Sequence, residues 1–183
     1  MFRVFNAGGA SGSFLTASYR GDVFKMNSIT KRAAPFDIDV VDSFVHCDRG
    51  ISEPATALII ASRHGVIYSV EYLISRGADL DKQAIEGGNT ALMEAAGRGH
   101  LRVVVALVEA GADVHKRNKD GKTAAEIAEE AGYGLVAKTI EEPGSVTVTD
   151  IASYTRTHLP KTKSLNLRPL GCWGRMSEFC LNT

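Results

Sequence analysis

Cysteine is scarce in this chain, and its three copies, Cys47, Cys172 and Cys180, stand far apart. An odd, scattered set does not make a disulfide framework, so a reducing compartment is the default. No apolar run reaches 18 residues, which argues against a membrane-spanning helix. Neither sign of charge is in excess. Lys+Arg and Asp+Glu each total 21, so no global field draws the chain to nucleic acid or to a membrane. The charge is nonetheless uneven. Residues 1–54 hold 6 basic and 6 acidic side chains, 55–142 hold 10 and 13, and 143–183 hold 5 and 2.

Catalytic groupings are lacking too. None of the five histidines, His46, His64, His100, His115 and His158, pairs with another at metal-ligand spacing, and there is no CxxC. The glycines of "AGGASG", Ala7 to Gly12, have no strand before them and no Lys-Ser/Thr after them, so they read as a flexible start rather than a phosphate loop. Cys47, beside His46 and Arg49, reads as a passive thiol. Lys116, Arg117, Lys119 and Lys122 are interrupted by Asp113 and Asp120 and read as a solvated turn. No enzyme and no cofactor are expected.

What the chain does have is an internal repeat. "ATALIIASRHGVIYSVEYLISRGADLD" lies over "NTALMEAAGRGHLRVVVALVEAGADVH", with Thr56 on Thr90, Leu58 on Leu92, Gly65 on Gly99 and Gly77-Ala78-Asp79 on Gly111-Ala112-Asp113. A third copy opens at Thr123. A threonine makes a good N-cap, so a helix is expected from Ala91. Gly99 closes it, because glycine accepts the left-handed backbone of a tight turn. A second helix runs from Leu101 to Val108, with Val103, Val104, Leu107 and Val108 at helical spacing. Thr123 and Glu126 form a capping box. One such pair cannot bury its own apolar face, and stacked copies can.

The pattern resembles the ankyrin repeat, a turn plus two antiparallel helices with a Thr-Pro-Leu-His-x-Ala signature. Here the signature reads Thr56-Ala-Leu-Ile-Ile-Ala61, Thr90-Ala-Leu-Met-Glu-Ala95 and Thr123-Ala-Ala-Glu-Ile-Ala128; its Pro and His are absent from all three. The resemblance covers residues 55–142. It implies an all-α solenoid of about three to four helix-turn-helix units, with an irregular N-terminal insert and a C-terminal tail. The units would be 55–88, 89–122 and a capping unit at 123–142. In front of them, 12–35 reads as a degenerate unit, with 1–11 as a flexible start and 36–53 as a long loop. The apolar alternation around Val40, Val41, Phe44 and Val45 suits a short β-hairpin. Residues 143–183 open on Pro143-Gly144, a stop signal, and read as a mostly disordered tail.

The resemblance also implies a concave face of turn tips and first helices that binds another protein. The positions it points to are Glu53, Arg63 and His64, then Glu86, Asn89 and Arg98, then Lys119, Asp120, Lys122 and Glu130. Singly each is an ordinary exposed polar residue; together they make a mixed-charge strip. Aromatic anchors are few, with Phe44 and Tyr19 nearest. Replacing Arg63 and Arg98 is expected to weaken partner capture without lowering thermal stability. The expected function is a non-enzymatic adaptor or inhibitor, monomeric and cytoplasmic. The nucleus is an alternative place, and a mitochondrial leader in the acid-free start before Asp22 is a weaker one. The competing reading is a truncated or degenerate fragment without an independent role. About three units are near the minimum for a stable stack, and Glu94 and Glu141 occupy slots that would suit apolar residues.

Overall fold

The computed structural model describes residues 9–33, 35–41, 45, 46, 50, 51, 54–144, 150, 153 and 154. Among the described residues, eight helices can be bounded: α1 Ala10–Arg20, α2 Val23–Arg32, α3 Ala57–Arg63, α4 Ile67–Ser75, α5 Ala91–Ala96, α6 Leu101–Glu109, α7 Ala124–Glu130 and α8 Gly134–Glu141. Two two-residue strands, β1 Val45–His46 and β2 Gly50–Ile51, pair antiparallel between α2 and α3, with Val45 opposite Ile51.

Thr56, Thr90 and Thr123 open α3, α5 and α7 in the same way. Each hydroxyl accepts from the backbone N–H three residues on, at 3.3 Å, from Ile59, Met93 and Glu126 respectively. In α7 the Glu126 carboxylate returns the favour, accepting from the Thr123 N–H at 2.8 Å. These first helices are six or seven residues long, too short to persist alone in water. Packing holds them.

The helices form two rows. In the first row α1 lies on α3, α3 on α5 and α5 on α7; in the second, α2, α4, α6 and α8 follow in order. Ala57, Ala61, Ala91, Ala95, Ala124 and Ala128 are buried along the first row and let its helices approach closely. The core runs without a break from Phe14, Leu15 and Met26, through Leu58, Val70 and Leu73, then Leu92, Val104 and Leu107, to Val136 and Ile140. Buried hydroxyls bond across the first boundary. Ser18 Oγ donates to the Ala57 carbonyl at 3.0 Å, and Ser69 Oγ to the Ser18 carbonyl at 2.7 Å.

Aspartates tie the units together beyond the second helices. The Asp79 N–H donates to the Asp39 carboxylate at 3.1 Å, and the Asp113 N–H to Asp81 Oδ1 at 2.9 Å. Lysines repeat the step: Lys82 Nζ donates to the Asp39 carbonyl and Lys116 Nζ to the Asp81 carbonyl. Asp37 and Asp39 therefore hold the places of Asp79 and Asp81 in the next unit. Phe36 packs on Phe14 with ring centroids 4.9 Å apart. Residues 36–41 thus finish the first helix pair, and the extra length falls after Val41 rather than from Phe36. Phe44, Cys47 and Glu53 lie outside the described residues.

The expected tail needs one correction. Tyr154 is buried, 8% exposed, and belongs to the core. Its hydroxyl lies 2.8 Å from where a Cβ on Gly99 would stand, so this part of the tail docks on the repeats. The rest of the tail, 155–183, and the start, 1–8, lie outside the described residues.

Candidate partner-binding surface

The segment from Ala84 to Thr90 makes a tip closed by the Ala84 N–H to the Asn89 carbonyl. The next tip, 118–122, is closed by the Asn118 N–H to the Lys122 carbonyl and joined to the first by the Lys119 N–H to the Gly87 carbonyl at 3.2 Å. Asn118 Oδ1 accepts from the Asp120 and Lys122 N–H groups, which shapes the turn. Gln83 Nε2 spans both tips, donating to the Gly88 and Arg117 carbonyls. The tips lie against the first-helix row, since Ala84 and Gly87 share an open pocket with Arg63, Asn89, Glu94 and Arg98.

Glu94 sits at the centre of that pocket and is 6% exposed. Arg63 grips it with two parallel bonds, Nε to Oε2 at 3.0 Å and Nη2 to Oε1 at 3.2 Å. Arg98 Nη1 donates to Oε2 at 2.6 Å, and Asn89 Nδ2 to Oε1 at 3.1 Å. Asn118 in turn donates to Asn89 Oδ1 at 2.9 Å. Burial by itself would raise the Glu94 carboxyl. The bonds and charge from Arg63, helped by Asn89 and Arg98, outweigh it and hold the group below the usual carboxylate range.

This corrects two expectations. Glu94 does not mar an apolar slot; it is a buried anion with four donors. Arg63 is not a freely replaceable contact, because its loss strips two donors from that anion. The signal was partly readable: Arg98 follows Glu94 by four residues, a helical ion-pair spacing. Arg63 lies 31 residues earlier, where no local pattern reaches.

The other expected positions are spread along the same surface. His64 is exposed at the end of α3, its ring edge-on to Tyr19 with centroids 4.7 Å apart. Glu86 is exposed on the first tip, and Lys119 and Asp120 on the second. Lys119 Nζ donates to the Ile85 carbonyl. Lys122 pairs with Glu130 at 2.6 Å, and the hydrogen bond from the ammonium to Glu130 raises the Lys122 pKa. The sequence did not announce that Arg117 pairs with the capping-box Glu126, at 3.2 Å, or that Ile85 stands 58% exposed at the tip. Glu53 cannot be placed with the others, because it lies outside the described residues.

Among the described residues, no group of three or more His, Cys, Asp or Glu could hold a metal ion, and no helix is long and apolar enough to cross a membrane. Equivalent helix pairs in two rows, joined by tips over one row, define a helical repeat protein. Residues 31–118 match the family model for ankyrin repeats (3 copies), which agrees with the all-α repeat architecture of that span. None of the curated proteins searched matches it. Ankyrin repeats are generally protein-interaction modules and typically not enzymes.

Proposed function

We propose that this chain is a non-enzymatic interaction module, an adaptor or inhibitor, that holds a partner protein on its first-helix row and the tips above it. The observation that carries this reading is the contrast between backbone and side chains there. Tip backbones are locked by Asn118, Gln83 and the Lys119–Gly87 bond, while Arg98, Lys119, Asp120 and Glu130 present exposed heads. A rigid frame carrying exposed polar groups suits recognition, because little backbone order is lost on binding. The module is taken as a cytoplasmic monomer.

The buried Glu94 cluster weighs against the degenerate-fragment reading, since a four-donor site across two units requires the units to be in register. The test is affinity capture from native lysate, with quantitative mass spectrometry, comparing the chain with an Arg98→Ala/Lys119→Ala/Asp120→Ala variant of equal thermal stability. Loss of the same partner set from the variant is expected. Equal capture by both would remove this surface from consideration.

A further inference from the structure

Phe24 and Tyr68 are the most exposed large apolar side chains among the described residues, at 91% and 67%. They are not scattered. Phe24 stands three residues after the turn glycine Gly21, and Tyr68 three after Gly65, so each is the second residue of its helix, α2 or α4. Those helices are neighbours in the second row. Val66, at the start of α4, has a methyl 3.1 Å from where a Cβ on Gly21 would stand. The two aromatics therefore occupy equivalent places in adjoining units, at the edge of the stack formed by the turns. A single exposed apolar side chain is ordinary, whereas two aromatics in adjoining units offer a docking face.

The same edge holds the chain beyond the last repeat. Tyr154 is buried, and its hydroxyl lies 2.8 Å from the Cβ position of Gly99, the third turn glycine along this edge. We propose that the segment around Trp173 returns along the turn edge and seats its indole on Phe24 and Tyr68 of the same molecule. The inference does not rest on the first-helix row being the partner surface. Its reach is sufficient. From Gly99 to Gly21 is two units, roughly 20 Å at the usual spacing of packed helices. Trp173 follows Tyr154 by 19 residues, and a flexible linker of such a length spans about 24 Å on average. Trp173 is the chain's one tryptophan, flanked by Leu170 and Met176, and an indole has a large apolar area that stacks on or against other rings. The other segments outside the described residues leave from the opposite ends of the helices. Residues 1–8 precede α1, and the stretch after Val41 follows the far end of α2, each roughly 15 Å from the Gly21 turn.

Trp173 can be read by its own fluorescence in the full chain, excited at the red edge where tyrosine does not absorb. Its emission is expected at shorter wavelength than in urea, with protection from acrylamide. Phe24→Ser/Tyr68→Ser should shift that emission to longer wavelength and remove most of the protection. Circular dichroism and the melting midpoint should hold, since neither ring belongs to the core. Tyr68→p-benzoylphenylalanine, irradiated in dilute solution, locates the contact. It should cross-link within one molecule to the peptide that holds Trp173, and a further Trp173→Ser change should abolish the link. Emission like that of the unfolded chain, or unchanged by the double serine variant, overturns the proposal. So does a link to residues 1–8, to the stretch after Val41 or to a second copy, or no link at all.

Discussion

The imidazole of His100 fills the space that a side chain on Gly65 would need. Its Nδ1 lies 2.7 Å from where a Cβ would stand, and its Nε2 lies 3.2 Å from the Arg63 carbonyl. Gly65 belongs to the turn between α3 and α4, and His100 opens α6 of the next unit. The relation recurs one step on, with Tyr133 at 2.6 Å from the Cβ position of Gly99. Each turn glycine is therefore needed twice, once for its left-handed backbone, φ 70° at both, and once for the room it leaves to the following unit.

Two alanine replacements should separate these needs. Gly77 also has a positive φ, 79°, but nothing lies within 4 Å of its Cβ position. Gly77→Ala should cost only the backbone strain, about 1–2 kcal/mol. Gly65→Ala should cost that and a further loss of about 1–3 kcal/mol for displacing the ring. Urea unfolding midpoints read the difference; equal shifts would mean the ring moves aside freely.

The repeat, its helix starts at Thr56, Thr90 and Thr123, and its turn glycines were legible because each is a local event with a period. Threonine caps the helix it begins, and glycine turns the chain where it stands. The Glu94 cluster was not legible as a whole. An acid in an apolar slot reads as a fault until Arg63, from the previous unit, is seen beside it. The aspartate ties were missed for the same reason, since the Asp39 carboxylate meets an N–H forty residues on. Tyr154 lies beyond the last period, so nothing in the pattern announced its place against Gly99.

Arg63→Ala should destabilise the fold by about 2–3 kcal/mol, short of the full penalty for orphaning a buried charge because Arg98 and Asn89 remain. Arg98→Ala removes one partly exposed donor and should cost about 1 kcal/mol or less. Adding Glu94→Gln to Arg63→Ala should recover part of the loss, since a neutral amide needs no cation. Thermal or urea melts of the parent, Arg63→Ala, Glu94→Gln and the double variant give the cycle. An Arg63→Ala variant as stable as the parent would mean the Glu94 cluster contributes little.

Acid should weaken the stack in two stages. Burial, with the charge of Arg98, lowers the His100 imidazole although the Arg63 carbonyl opposes the shift. A depressed folded value means the neutral ring is favoured in the fold, so its stability is complete above the unfolded value, about 6.5, and is lost as pH falls below it. Glu94 is lowered as well, so its share is complete above about 4.3 and is lost as pH falls further, through the folded value. Melting temperature against pH should show a first decline that His100→Phe removes and a second that Glu94→Gln reduces.

Tyr154→Ala should loosen the last unit in particular. The ring is buried with Gly99 and Tyr133 beneath it, and burial, with the charge of Tyr133 ionised nearby, raises its phenol pKa. In a stack each unit is steadied by its neighbours, and α7 and α8 have α5 and α6 on one side only. Tyr154 adds cover beside Tyr133 at the Gly99 turn, where the last unit meets the one before it. Its removal should cost about 1–3 kcal/mol, and the loss should be felt unevenly. Amide hydrogen exchange in α7 and α8 should speed up more than in α3 and α4, because local opening starts where packing is thinnest. Tyr154→Phe, which keeps the ring, should show much less of the effect. Uniform acceleration along the chain would instead mean that the stack opens as one unit and that Tyr154 steadies all of it alike.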